Sequence, residues 1–448
     1  MSLRDKLSRL GPGAPVSRGE RTSAELGDVA QVEVSGGGVE VSRDGAPNGI
    51  AASESPSSRL DVLDELRAKM EALLGAAAPE PPRRGTPSLS ELPFLESEHR
   101  GLRLTRRLER LPPSAHVGRM PVDAARTASA EMLALLSLDP TLSGVSPSRA
   151  LYLDTETTGL GGSGVVAFLV GLLWFDDAGE PHLEQLLLRE PGEERALLER
   201  LRELVERSEL LVTYNGKSFD WPLLGTRCVM NRLPPLPTRP HFDLLHVARR
   251  LHKKRLGGCR LIHLESHVLG WERGEDDIPG IEIAPRYGHY LRTGDGAALR
   301  PVVDHNAWDV VSMAALVGLY GERLPDLHSE DLVGVARTLR RARAFDQALT
   351  VADAAFERGA GHHARRARGE IAKARGDKAR ALLEFEALSA EIDDPRVRLE
   401  LVKLYEHHAR DAERALELLA AGTGESDEAL EKRRARLTQK LARSRGPS

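Results

Sequence analysis

The sequence contains very few cysteines, few aromatic residues and no long apolar run. Cys228 and Cys259 are its only cysteines and form no CxxC pair, so they support neither a disulfide framework nor a zinc site. This usage favours a reducing cytoplasm. The longest apolar run, Val165 to Phe175, has about half of the ~20 residues that a membrane helix needs and is interpreted as a buried strand. The N-terminal MSLRDKLSRLG lacks the apolar core of a secretory signal, so we expect neither secretion nor membrane insertion.

The overall charge is close to neutral. The formal net charge is -4 over 448 residues, and 29% of the residues are charged whereas 4% are aromatic. Any binding of nucleic acid must therefore depend on a local basic patch. A chain of this length is expected to fold as two or three units.

The N-terminal region differs in composition from the rest. Residues 1–95 are rich in Gly, Ser, Pro, Ala and charge, and such a segment buries too little apolar surface to fold, so we predict that it is mostly disordered. Within it, Leu60–Leu74 has apolar residues at helical spacing and predicts a short helix that is transient or docks on the chain itself, with docking on a partner as the alternative. Residues 96–149 are expected to pack against the next domain, with a strand near Leu102–Leu108 and a helix near Ala124–Leu136.

From Ala150 onward the pattern changes to strands that alternate with helices. The amphipathic helix Glu193–Arg207 is preceded by three predicted strands and followed by a fourth, namely Leu151–Asp154, Val165–Phe175, His182–Leu188 and Leu210–Tyr214. This order resembles that of a ribonuclease-H-like domain, an α/β fold in which a mixed sheet is flanked by helices. We assign residues 150–325 to this domain.

The C-terminal residues 330–445 are rich in Ala, Arg and Leu. Ala-Leu pairs begin at Ala348, Ala381 and Ala415, which are steps of 33 and 34 residues, and each follows a turn that contains an aspartate. A period near 34 is typical of tetratricopeptide-like helical hairpins. We predict an all-α repeat domain of that kind, with a plain helical bundle as the alternative.

Two acids lie close together at the end of the first predicted strand of the α/β region. Asp154 and Glu156 are two residues apart, so both side chains project from the same face. Neighbouring carboxylates repel each other unless a cation lies between them. A hard divalent cation, Mg²⁺ or Mn²⁺, suits such oxygen ligands. Taken alone, the pair is more simply explained as two solvated acids before a turn.

A second acid motif is YNGKSFDWPLL. Asn215 and Gly216 form its turn, Lys217 offers a point charge suited to phosphate, and Asp220 begins the next helix. An acid at that position is ordinarily a helix cap or a first-turn residue that interacts with the helix dipole.

A third motif is VVDHNAWDVVSMAALVGLY, which has helical periodicity. His305 and Asp309 lie one turn apart on a common face of this helix. Such a pair is often found simply at the surface.

Basic residues are concentrated in HFDLLHVARRLHKKRLGG. The five residues are Arg249, Arg250, Lys253, Lys254 and Arg255. On a helix they would form a stripe able to hold a phosphate backbone. The alternative is a basic face that is simply solvated.

The stretch Gly274–Tyr290 is too rich in Pro and Gly for a long element and is expected to be a loop beside the site. Its Arg286, Tyr287 and Tyr290 provide charge and stacking surfaces suited to single strands.

Together, the motifs DTETTGL, VTYNGKSFDWPLL, HFDLLHVARRL, DDIPG and HNAWDVVSMAAL resemble the YprB-type ribonuclease-H-like family within the DEDD exonuclease superfamily. The similarity covers roughly Ala150 to Leu324. It implies a 3′-5′ exonuclease that uses two Mg²⁺ or Mn²⁺ ions, which Asp154 would bridge. Glu156 and Asp309 would lie on the nucleophile side, and Asp220 would support the other ion.

The motif around His305 departs from the superfamily. In that superfamily the last motif usually has either a His separated from the Asp by four residues or a Tyr separated from it by three. Here His305 is separated from Asp309 by three residues, so the histidine lies at the spacing usual for the tyrosine. Asp304 is at the longer spacing. Imidazole can take a proton from water, so His305 is the candidate general base, with a different reach from a histidine one residue earlier.

Two other functions stay open, a structure-selective endonuclease and a catalytically inactive module that binds nucleic acid or protein. The expected partner is nucleic acid, which would be single-stranded if the protein is an exonuclease. The family association also suggests a protein partner, such as a helicase, for the C-terminal repeats.

Overall fold

The computed structural model describes residues 87–159, 164–274 and 277–444. Residues 1–86, with the predicted helix Leu60–Leu74 and most of the predicted disordered region, lie outside the described residues. Within the described ranges, no helix combines the length and apolar character needed to cross a membrane.

One mixed sheet forms the centre of the fold. Its strands lie in the spatial order β1-β2-β7-β6-β5-β8-β9, with all neighbours antiparallel except β5–β8 and β8–β9, which are parallel. A separate two-stranded ladder joins β3 to β4. The bounds are β1 Leu95–His99, β2 Leu102–Arg110, β3 His116–Val117, β4 Met120–Pro121, β5 Ala150–Thr157, β6 Ala167–Phe175, β7 Pro181–Leu187, β8 Leu210–Thr213 and β9 His241–Asp243.

Helices cover both faces of the sheet, as expected for this fold class. Along β5, Leu151 and Leu153 face one core and Tyr152 faces the other, because successive strand side chains alternate. The helices up to the repeat region are α1 Ala130–Ser137, α2 Glu194–Arg207, α3 Asp220–Met230, α4 Leu244–Leu251, α5 Lys253–Leu256, α6 Leu261–Leu264, α7 Gly280–Thr293 and α8 Gly296–Glu322.

The segment before Ala150 contributes to the sheet itself. Strand β2 includes the predicted strand and pairs with β7, whereas β1 was not expected from the sequence. The predicted helix Ala124–Leu136 is divided into the short 3₁₀ turn Val122–Ala125 and α1. Ser129 causes this break, because its hydroxyl accepts a hydrogen bond from Met132 N at 3.2 Å and caps α1.

The expectation of a loop over Gly274–Tyr290 is wrong, because α7 occupies most of this stretch despite Pro285. Ile283, Tyr287 and Tyr290 are buried along α7, and this apolar face outweighs the local cost of the proline.

The side chains expected to stack on a single strand lie in the core or pair locally. The Tyr287 ring stacks on Phe168 with centroids 3.9 Å apart, and the Tyr290 hydroxyl donates to Ser88 O at 2.9 Å. Arg286 pairs with Glu282 at 2.8 Å.

The C-terminal region is all helical. It comprises α9 Ser329–Arg341, α10 Phe345–Ala355, α11 Gly361–Arg375, α12 Lys378–Glu391, α13 Pro395–Leu404, α14 Ala412–Ala420 and α15 Asp427–Ser444. The three repeated alanines are completely buried, which explains why a small residue recurs at Ala348, Ala381 and Ala415. Asp377 and Asp411 cap α12 and α14 through hydrogen bonds from backbone N–H groups.

The first C-terminal helices pack directly on the α/β domain. Leu332, Val335 and Leu339 of α9 belong to the same hydrophobic cluster as Val310 of α8. Gly334 allows this approach, because a Cβ there would lie 2.5 Å from Leu251 O of α4.

Candidate metal centre

Asp154 and Glu156 lie near the carboxyl end of the central strand β5. They pair across the antiparallel ladder with Gly171 and Leu169, and both project toward α8 and away from the Leu153 side of the sheet. Only 7% of Glu156 is exposed. The strand therefore presents two carboxylates where little water solvates them.

Asp220 begins α3 and is only 4% exposed. The Thr155 hydroxyl donates to Asp220 Oδ1, so the residue between the two strand acids fixes the third acid. The sequence motif contains this threonine, but its role depends on the fold, because Thr155 and Asp220 are distant in the chain.

The turn before α3 is fixed by Asp243. Its carboxylate accepts hydrogen bonds from Asn215 N at 2.9 Å and Lys217 N at 3.1 Å, and also caps α4 by accepting from Leu245 N at 3.1 Å. Asn215 adopts a left-handed φ of 68° in this turn. The turn leaves the side chains of Asn215 and Lys217 exposed, a few residues before Asp220.

The fourth acid, Asp309, lies on α8 one turn after His305. The two side chains approach to 3.8 Å between His305 Nε2 and Asp309 Oδ2. His305 Nδ1 lies 2.7 Å from Asp277 Oδ1 and 3.1 Å from Arg273 Nη1. Because a carboxylate only accepts, the shorter contact assigns the proton to Nδ1. The Nε2 atom of His305 is therefore directed toward the acids. Asp304, at the longer spacing, pairs with Arg300 at 3.2 Å.

Arg273 is the permanent cation of the site, and the sequence reasoning missed it. Its side chain is 4% exposed and contacts Asp309 through Nη2. Two further hydrogen bonds, of 2.6 and 2.7 Å, join it to the fully buried Glu265. An isolated arginine in a loop gives no sequence signal of this role.

We call Asp154, Glu156, Asp220 and Asp309 the acid site. Burial raises the pKa of Asp154 well above its ordinary value, and the charges of the other three members raise it further. Burial likewise raises the pKa of Glu156 to about 8 and that of Asp220 to about 6. Burial lowers the pKa of His305, but the hydrogen bond to Asp277 and the charge of Asp309 more than reverse this and raise it.

This donor set fits divalent cations. Glu156 and Asp220 are buried, and Asp154 and Asp309 are partly buried. Burial and the repulsion between the acids raise the pKa values of Asp154 and Glu156, so a multivalent cation would stabilise their charged forms. Oxygen ligands of this kind are those preferred by Mg²⁺ and Mn²⁺.

Asn306, which lies between His305 and Asp309 in the sequence, also reaches the acid site. It is completely buried, and its Nδ2 donates to Asp154 Oδ2 at 2.9 Å. The motif that contains Asn306 can be recognised in the sequence, but its pattern assigns this residue no role.

The basic segment is divided between α4 and α5, and its five residues differ in environment. Arg255 forms hydrogen bonds to Asp331 of α9 at 2.6 and 3.0 Å, and Arg250 donates to Leu136 O at 3.1 Å. The more exposed members of the predicted stripe are Arg249, Lys253 and Lys254, of which Lys254 approaches His363 at 3.0 Å. A role in binding nucleic acid stays a prediction for all five.

The sequence profile of the RNase_H superfamily matches residues 151–320, which contain the acid site. The domain is therefore a ribonuclease-H-like domain of that superfamily, as its sheet indicates. The uncharacterized protein YprB of Bacillus subtilis (strain 168) is 37% identical over 216 residues, which are 46% of this chain and 51% of that protein. This identity supports the resemblance of the domain to the YprB-type ribonuclease-H-like family, and the chain covers about half the length of that relative.

Among solved structures, the family B DNA polymerase from the hyperthermophilic archaeon Pyrobaculum calidifontis is 17% identical. The match covers 50% of this chain and 29% of the polymerase, with a TM-score of 0.33. A similarity of this size carries no argument about function.

Proposed function

We propose that this chain is a divalent-metal-dependent 3′-5′ exonuclease that hydrolyses single-stranded DNA or RNA. The observation that carries the proposal is the acid site, in which the fold brings together carboxylates from β5, α3 and α8. Burial, followed by the charges of the other three acids, raises the pKa of Asp154 there. The polarity and the single-stranded substrate come from the family resemblance.

The four acids would hold two Mg²⁺ or Mn²⁺ ions, with Asp154 as the shared ligand. Such ions activate an attacking water and stabilise the charge of the leaving oxygen. Thr155 holds Asp220 in place for this role, and Asn306 holds Asp154.

His305 is the proposed general base. Its Nδ1 proton is held by Asp277, so Nε2 accepts the proton from the attacking water, and the Asp277 carboxylate stabilises the imidazolium that results. The raised pKa of His305 suits a group that gains a proton during the reaction.

Substrate binding is assigned to two exposed groups of side chains. Asn215 and Lys217 lie on the turn that leads to Asp220, where a point charge suits a phosphate. The exposed basic residues of α4 and α5 would contact a more distant part of the strand. We also propose that the C-terminal helices, as tetratricopeptide-like repeats, recruit a protein such as a helicase, and that the protein works in the cytoplasm.

The test is a time course on 5′-labelled single-stranded DNA and RNA with Mg²⁺, Mn²⁺ or EDTA. A ladder that shortens by one nucleotide at a time, disappears in EDTA and disappears in Asp154→Asn is the expected result. Internal fragments without a ladder would favour the structure-selective endonuclease. Cleavage that persists in EDTA would contradict the metal dependence.

A second candidate function is a catalytically inactive binding module. The ion pair between Arg273 and Asp309 favours it, because this cation already neutralises one of the acids. Such a module would bind single strands equally well in Mn²⁺ and in EDTA and would cleave neither substrate.

A further inference from the structure

A row of polar residues crosses the sheet beneath α8 and ends at the acid site. Four strands contribute to it, because Arg107 of β2 pairs in register with Gln185 of β7, Gln185 with Gly171 of β6, and Gly171 with Asp154 of β5. Asn306 of α8 lies above this row. Gln185 and Asn306 are both completely buried, so solvent does not satisfy their amide groups.

The hydrogen bonds along this row all run in one direction. Arg107 Nη1 donates to Gln185 Oε1 at 3.0 Å, Gln185 Nε2 donates to Asn306 Oδ1 at 2.9 Å, and Asn306 Nδ2 donates to Asp154 Oδ2 at 2.9 Å. We call these three bonds the relay. It begins at a cation that only donates and ends at a carboxylate that only accepts, so each amide has one favourable orientation.

The backbone leaves a space for the relay at Gly171. A Cβ at this position would lie 2.2 Å from Asn306 Oδ1, so any other residue would displace the amide from the sheet. Gln185 is fixed further by a second hydrogen bond from its Nε2 to Val303 O at 2.9 Å. Both the strand and the helix therefore determine where Asn306 points.

We propose that Gln185 and Asn306 are positioning residues that orient Asp154, so that Oδ2 accepts from the relay and Oδ1 is presented to the ions. This inference rests on the proposed function for the identity of the ligand. The orientation itself depends only on hydrogen bonds within the chain. Hydrogen-bonding partners of metal ligands typically change metal affinity by about 10- to 100-fold when they are removed.

Gln185→Glu tests the relay without changing any atom that contacts Asp154. The carboxylate that this variant introduces accepts from Arg107 but cannot donate to Asn306 Oδ1, so the Asn306 amide is expected to rotate and donate to it. The Asn306 Oδ1 atom would then face the Asp154 carboxylate and repel it. We expect Mn²⁺ to bind about 10- to 100-fold more weakly, as measured by calorimetric titration.

The sign of this change separates the relay from a simple effect of charge. An added carboxylate near a cation site would by itself tighten binding, whereas a reversed amide weakens it. Gln347→Glu, which adds the same charge on the exposed surface of α10, is the matched control and should leave Mn²⁺ affinity unchanged. Wild-type or tighter Mn²⁺ binding by Gln185→Glu would overturn the proposed effect on the ions.

A thermal unfolding cycle in EDTA at alkaline pH, which favours the ionised form of Asp154, tests the relay independently of any metal. The amide that Asp154→Asn introduces can donate to a reversed Asn306, so this variant should relieve the repulsion that Gln185→Glu creates. We expect Gln185→Glu to lower Tm by about 2–4 °C more in the wild-type background than in the Asp154→Asn background. Equal decreases in both backgrounds would overturn the relay. If the cycle shows the expected coupling but the wild type binds no Mn²⁺, the proposed function fails while the orientation of Asp154 stands.

Discussion

The sheet carries two groups of acids, and they differ in what compensates their charge. The acid site is largely buried, and among the described ion pairs the only arginine or lysine in contact with its members is Arg273, which contacts Asp309. The second group lies at the turn between β6 and β7, where ligand atoms of Asp176, Glu180 and His182 lie within 4.8 Å of one another. We call it the hairpin cluster.

Hydrogen bonds within the turn and one neighbouring arginine satisfy the charges of the hairpin cluster. The Asp176 carboxylate accepts hydrogen bonds from His182 Nε2 at 2.9 Å and from backbone N–H groups of the turn, and these lower its pKa. Arg110 pairs with Glu180 at 2.6 Å. Asp176 is also 30% exposed in its side chain, so water contributes to its solvation.

The comparison shows that proximity of acids does not by itself indicate a metal site. In the hairpin cluster a closed set of hydrogen bonds explains the carboxylates, whereas burial and mutual repulsion raise the pKa values in the acid site. The second arrangement is the one that a divalent cation would stabilise.

The largest difference between the two groups should appear in catalysis. Asp154→Asn is expected to lower metal-dependent cleavage by at least about 10³-fold, since it removes charge from the proposed shared ligand. Asp176→Asn should leave the rate unchanged. Rates on labelled single strands measure both, and the comparison fails if the two variants lose activity to the same extent.

Arg273→Met should destabilise the protein strongly. It leaves the fully buried Glu265 without its cation, which typically costs about 3–5 kcal/mol. Arg110→Met, which removes the exposed partner of Glu180 in the hairpin cluster, should have no measurable effect. Urea unfolding measures both free energies, and a similar change in the two variants would show that Arg273 is not a buried counter-ion.

The two groups should also give opposite dependences of stability on pH. The raised pKa values of Glu156 and Asp220 mean that the folded chain holds protons that the unfolded chain has released. Their contribution is complete below the unfolded pKa near 4 and is lost as the pH rises through about 6 and about 8. The lowered pKa of Asp176 gives a contribution that is present above its ordinary pKa and lost as the pH falls.

Tm measured in EDTA between about pH 4 and pH 9 checks these signs. Glu156→Gln should reduce the fall between about pH 6 and pH 8 by a few degrees, while Asp176→Asn should change the curve only at acid pH. A Glu156→Gln curve parallel to the wild type would contradict the raised pKa.

The sequence identified the elements whose signals are local. Strand β5, α2 and the acids of the three motifs could be recognised because period, turn residues and spacing lie within short windows. The ribonuclease-H-like fold follows from their order. Strand β1 and helix α7 were not predicted, because both depend on burial against distant parts of the chain. Pro285 is unfavourable inside a helix, and only the fold shows that the tyrosines of α7 are buried and compensate for it.

The parts of the site that could not be predicted depend on contacts between distant residues. Gln185 looks like an ordinary polar strand residue and Arg273 like a loop cation, and neither spacing nor composition links them to Asp154 or Asp309. Only the strand register and the position of α8 bring them together. Conversely, the basic segment had a clear local pattern, but Arg255 binds Asp331 within the protein.

The central claim is that the acid site, and not the hairpin cluster, binds divalent cations. The most direct measurement is a Mn²⁺ titration of the full chain followed by electron paramagnetic resonance, in parallel with Asp154→Asn and Asp176→Asn. We expect two Mn²⁺ ions per chain in the wild type and in Asp176→Asn, and loss of at least one ion in Asp154→Asn. Binding that is unchanged in Asp154→Asn but lost in Asp176→Asn would contradict the account.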